Sequence, residues 1–224
     1  MMKKILYQPW GGLGDNLQYS TLPERFAELG HEFYISDQNV YRNPQIYGLV
    51  WGKNPYVKGI SNEPANVGSC VPFVPYYAGK TRIYNWEHCH GLQPINELPK
   101  VYYQPTVIES LTESILVDFS GYTSWEVPDH LDEILKENFG DRKIVIPTSE
   151  YFHRQYQGLK HDEKMECKSI FDYCDMIHSC YYFICSSSGN AVLASALNKQ
   201  NTTAFYPKRY DVQKDFFFPN INYE

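Results

Sequence analysis

The chain has no long hydrophobic run, no excess of positive charge and no closely spaced cysteine pair, and each lack excludes a class. No apolar stretch approaches the roughly 20 residues that a membrane-spanning helix needs. Met1-Met2-Lys3-Lys4 is followed by a short apolar segment that soon meets Pro9, Trp10 and glycines, too short for a signal-peptide core. The cysteines at 70, 89, 167, 174, 180 and 185 make no Cys-x-x-Cys motif. His88-Cys89-His90 groups metal-ligating residue types, but without the partner spacing of a closed zinc site. Twenty basic against 26 acidic residues give a formal net charge of -6, which speaks against a nucleic-acid partner. No Gly-x-Ser-x-Gly elbow points to a hydrolase, and no Gly-Lys-Ser/Thr ending points to a P-loop. The expectation is a cytoplasmic α/β chain with no metal and no resident cofactor.

Two glycine turns stand out against these absences. Gly11-Gly12-Leu13-Gly14-Asp15 follows a strand expected over residues 4–7 and precedes a helix expected over 17–29. Strand, glycine turn and helix together let backbone N–H groups approach a phosphate or a sugar ring without side-chain obstruction. Gly12-Leu13-Gly14 begins a dinucleotide fingerprint, but position 17 is leucine where its last glycine would stand. Asp15 places a carboxylate at the opening, where it would serve as a base or as an N-cap. The second turn, Ser186-Ser187-Ser188-Gly189-Asn190, follows a strand expected over 181–185 and leads into a helix expected over 191–197.

Between and around these turns the pattern is α/β. A strand over 32–36 completes a βαβ unit, so the first sheet should be parallel. Prolines at 44, 55, 64, 72, 75, 94 and 99 break the next stretch into short fragments. The second half reads as strand 114–119, helix 131–138, strand 143–146, helix 165–178 and a last strand over 202–206. A boundary between 98 and 114 divides the chain into an acceptor-side domain, 1–105, and a nucleotide-sugar-binding domain, 106–224. The 20 tyrosines fit either amphipathic surface filling or stacking on sugars and bases.

Gly11-Gly12-Leu13-Gly14-Asp15-Asn16-Leu17, Thr21-Leu22-Pro23, Phe26 and Leu29-Gly30-His31 resemble the N-terminal signature of glycosyltransferases related to the lipopolysaccharide heptosyltransferases. Phe171, Cys174, Ile177, residues 182–184, 186–190, Ala194, Ala196-Leu197 and Thr203-Ala204-Phe205-Tyr206-Pro207 resemble that family's donor-binding segment. The resemblance implies a GT-B fold, with two Rossmann-like parallel-sheet lobes facing across a cleft. It implies transfer with inversion from a nucleotide-diphosphate sugar to a glycan or glycolipid hydroxyl, which would bring the chain to the inner face of the membrane. Asp15 would be the catalytic base. Ser187, Ser188, Gly189 and Asn190 would form the donor bed, joined by Ser120 and Thr123, and Gly11, Gly12, Gly14 and Asn16 would line the substrate cleft. The chain departs from the family after its second-lobe first strand, where residues 118–125 contain no Lys or Arg, and in its short length. Those departures leave a second reading open: a noncatalytic nucleotide- or glycan-binding protein that keeps the cleft.

Overall fold

The computed structural model describes residues 2–68, 79–120, 127–128, 130–150, 159–206 and 217–224. The chain divides into two units, Met1–Tyr103 with Gln213–Pro219, and Gln104–Val212 with Asn220–Glu224. Each is built on its own parallel sheet, as the sequence pattern leads one to expect.

The first unit runs β1 (Lys3–Tyr7), α1 (Leu13–Leu17), α2 (Leu22–Glu28), β2 (Glu32–Ser36), β3 (Val57–Ser61), β4 (Val67–Gly68) and α3 (Arg82–Cys89). Its strands lie in the order β3-β2-β1-β4, all pairs parallel. Ile5 and Leu6 of β1, Phe33 and Ile35 of β2, and Leu17, Leu22 and Phe26 of the helices are buried, and the Phe26 and Phe33 rings stack 5.8 Å apart. The helix expected over 17–29 starts late, at Leu22, and the short α1 precedes it. Pro23 lies in the first turn of α2, where its missing N–H costs nothing. A π-helical turn at Tyr47–Gly52 brings Trp51 into the core.

The second unit runs β5 (Ile115–Asp118), α4 (Leu131–Phe139), β6 (Ile144–Thr148), β7 (Glu163–Glu166), α5 (Ile170–Ser179), β8 (Tyr182–Ser186), α6 (Gly189–Ala196), β9 (Thr202–Phe205) and β10 (Asn222–Tyr223). The order is β10-β9-β8-β5-β6-β7, again all parallel. Numbered from its own first strand, this sheet reads 3-2-1-4-5-6, the doubly wound Rossmann order. Ile115, Val117, Ile146, Ile184, Leu131 and Leu135 form its core. The helix expected over 165–178 starts later. Ser169 accepts from the Asp172 N–H while the Asp172 carboxylate accepts from the Ser169 N–H, a capping box that sets the start of α5. Residues 163–166 pair instead with β6 as an edge strand.

In both sheets the order in which the chain adds strands reverses at one place, β1/β4 in the first and β5/β8 in the second. In open parallel sheets ligands bind outside the carboxyl ends of the strands at such switch points. The first glycine turn leaves the end of β1, and the serine–glycine turn leaves the end of β8. Among the described residues no helix is long and apolar enough to cross a membrane.

Candidate functional site: the two switch-point turns

Three hydrogen bonds hold the first turn. The Gln8 N–H donates to Asn39 Oδ1 at 2.9 Å, the Gly11 N–H to Gln8 Oε1 at 3.0 Å, and the Arg42 N–H to the Gly11 carbonyl at 3.0 Å. The segment after β2 is thereby bolted onto the segment after β1. Gly11 makes this approach possible. Its φ is +67°, and a Cβ there would lie 2.8 Å from the Val40 carbonyl oxygen. Asn16 is wholly buried and braces the turn from beneath. Its amide donates to the Gly12 carbonyl at 2.8 Å and accepts from the Trp51 indole N–H at 3.0 Å. The Gly14 carbonyl accepts from the Gln18 N–H at 3.2 Å.

Asp15 is half-buried in the first turn of α1. Burial pushes its carboxyl above the ordinary value, and the positive charge of Arg42, the Gly12 N–H and the charge of Arg82 pull it partly back. A Cβ on Gly12 would sit 2.6 Å from Asp15 Oδ2 and 3.7 Å from Arg42 Nη1, so carboxylate and guanidinium converge on the bare face of that glycine. Sequence reading missed both arginines. Arg82 opens α3, whose N-cap Thr81 accepts from the Tyr84 N–H. Position after a strand's carboxyl end was the one available signal for Arg42; nothing in its spacing connects it to Asp15.

The second turn is built from neutral groups. Ser188 caps the start of α6, and its hydroxyl lies 3.1 Å from that of Ser186 and donates to Asn190 Oδ1. Asn190 is buried, and its amide donates to the Asp118 carbonyl at 3.2 Å. Its side chain thus ties the start of α6 to the end of β5. Ser187, Ser188 and Gly189 are half-exposed, and the first amide N–H groups of a helix lack intrahelical acceptors. The Ser120 N–H donates to Asp118 Oδ1 at 2.7 Å, and Asp118 Oδ2 accepts from the Tyr173 hydroxyl. Burial first, and the Asp118 charge second, raise the Tyr173 hydroxyl well above its usual range and keep it a donor. Thr123 lies outside the described residues.

His90 of the His88-Cys89-His90 run is a structural link. Its Nδ1 faces the Trp86 carbonyl at 2.7 Å and its Nε2 takes the Gly68 N–H at 3.4 Å, so Nδ1 carries the proton. Among the described residues no group of three or more His, Cys, Asp or Glu is placed to hold a metal ion.

No protein-family model and no curated protein matches the sequence. Solved structures do resemble it. The chain is similar to the E. coli ADP-heptose lipopolysaccharide heptosyltransferase II at 11% identity and a TM-score of 0.66, over 99% of this chain and 90% of that one. It is similar to the E. coli heptosyltransferase WaaC with ADP, also at 11% identity, with a TM-score of 0.64 over 100% and 92%. The iron-containing dodecameric glycosyltransferase TibC of enterotoxigenic E. coli gives 16% identity and a TM-score of 0.57; 88% of this chain is covered, and it spans 57% of that chain's length. At these identities what is shared is the fold: two parallel-sheet Rossmann-like lobes of the GT-B heptosyltransferase type.

Proposed function

We propose that the chain is an inverting glycosyltransferase that moves a sugar from a nucleotide-diphosphate donor to a hydroxyl of a glycan or glycolipid, acting at the inner face of the membrane. The observation that carries this is Asp15: a carboxylate at the switch point of a parallel sheet, half-buried, raised in basicity, and held beside Arg42. In this reading Asp15 takes the proton of the acceptor hydroxyl as its oxygen bonds to the anomeric carbon. The bond from that carbon to the diphosphate oxygen breaks on the opposite face, and the diphosphate leaves with the electron pair. An ordinary carboxylate, with a pKa of about 3.9, is a weak base for that task, and partial burial improves it. The diphosphate would be met by the amide N–H groups at the start of α6, preorganised donors that need no reorientation as charge develops, and by the Ser187 hydroxyl; the Ser188 hydroxyl would join them by turning from Asn190 Oδ1. Asn190 and Ser120 hold this bed in shape through Asp118, and Gly11, Gly12 and Gly14 keep the acceptor side open.

The uncharged second turn favours the rival reading of a nucleotide-binding protein without turnover, because neutral donors offset phosphate charge less well than cations. Calorimetric titration with ADP, GDP, UDP and CDP on the wild type and Ser188→Arg tests the donor bed. Binding of one diphosphate, lost in the variant, supports the assignment and chooses the donors for a transfer assay. A folded protein that binds none of the four removes the transferase reading.

A further inference from the structure

Trp10 is exposed over 46% of its surface, while Trp51 and Trp86 are at 0% and 1%. Tryptophan is highly buried on average, and a half-exposed indole leaves apolar surface in water. Loose chain does not account for the exposure. Residues on both sides of Trp10 are fixed, Gln8 through Asn39 and Gly11 through Gln8 and Arg42. Val40, whose carbonyl lies against Gly11, is itself 58% exposed, so apolar side chains are exposed on both of the segments joined at Gly11.

This turn stands at the carboxyl end of β1, where the sheet's ligand end lies. Asp15 lies five positions after Trp10, at most about 17 Å of extended chain. The last of them already wind into α1 at about 1.5 Å each, so the true separation is shorter. Gly12, two residues on from Trp10, has Asp15 Oδ2 and Arg42 Nη1 over its bare face, and an exposed indole on the same turn as that charged pair suits a ligand with two characters. One side must be apolar C–H, the rest hydroxyl. A pyranose ring has that pattern, and a rigid aromatic side chain presents its face at little entropic cost.

We propose that Trp10 is the platform on which a pyranose ring of the acceptor rests, its C–H face on the indole and its hydroxyls turned toward Asp15 and Arg42. This rests on the acceptor being a glycan, as proposed above. The platform selects for rings with a continuous C–H face and leaves donor binding to the second lobe.

Saturation-transfer NMR with the methyl glycosides of glucose, galactose, mannose and N-acetylglucosamine tests it on wild type, Trp10→Ala, Trp10→Phe and the surface control Leu29→Ala. The expected result is transfer to the ring C–H protons of at least one glycoside. Trp10→Ala should weaken that binding about three- to tenfold, Trp10→Phe less, and Leu29→Ala not at all. Equal binding to the wild type and a folded Trp10→Ala overturns the platform, as does no binding of any glycoside to the wild type. Calorimetry with ADP, GDP, UDP and CDP on the same samples separates the two ideas. Nucleotide binding with no effect of Trp10 removes the platform alone; glycoside binding that depends on Trp10, with no nucleotide binding, removes the transferase reading and leaves the platform standing.

Discussion

The two switch-point turns occupy equivalent places in their sheets and are built by different means. The first is charged and clamped from outside: side-chain amides and the Arg42 backbone lock it, and the Arg42 guanidinium and the Asp15 carboxylate converge on Gly12. The second is neutral and braced from inside, through Ser188, Asn190 and the buried Asp118–Tyr173 pair. A charged, half-buried carboxylate is what proton transfer asks for. Fixed neutral dipoles hold a diphosphate without distortion but offset its charge less than cations do. The difference teaches that one strand–turn–helix scaffold takes on a task according to the side chains brought to it by segments distant in sequence.

The sharpest way to break this comparison is Asp15→Asn. Transfer should fall by about 10²- to 10⁴-fold while nucleotide affinity, measured by calorimetry, stays unchanged. A parallel loss of nucleotide binding would mean that the turns do not divide the work. The adjacent glycines sharpen it further. Gly12→Ala puts its methyl 2.6 Å from Asp15 Oδ2 on an ordinary backbone, so it should displace the carboxylate, costing up to about 10²-fold in rate with little change in thermal stability. Gly11→Ala instead meets the Val40 carbonyl at a positive φ and should lower unfolding stability by about 1–3 kcal/mol, read by urea titration.

In the second turn, Tyr173→Phe leaves the buried Asp118 carboxylate short of a donor. It should cost about 1–3 kcal/mol of stability and weaken nucleotide binding, with the pH profile of transfer unmoved. Arg42→Met should do the reverse. Arg42 favours the ionised form of Asp15, so removing it raises that carboxyl further, and the acid limb of kcat/KM against pH should move to higher pH. The smallest effect belongs to His90. Burial lowers its pKa, so the unfolded chain binds the proton more readily, and stability should fall as pH drops below about 6.5 toward the folded value. His90→Gln should flatten that slope in urea titrations at several pH values.

Much of the fold was legible because its signals are local. The run into Gly11, the stop at Gly30 and the strand before Ser186 are all short-range patterns of apolar residues and turn formers. β7 was not legible: Glu163–Glu166 is polar and becomes a strand by pairing with β6 at the sheet edge. Nor was the break between α1 and α2, although Pro23 carried part of the signal.

The candidate site shows the same division. By itself the sequence determined two parallel sheets and a glycine turn ending in Asp15, because strand, turn and helix follow from neighbours a few residues apart. Only the tertiary structure decided what surrounds them. Asn16 meets Trp51 across 35 residues and Tyr173 meets Asp118 across 55, while Arg42 comes near Asp15 because Gly11 lets the segment after β2 pack against the turn. Burial and charge in a folded chain are set by such distant segments, and no local pattern encodes which of them will arrive.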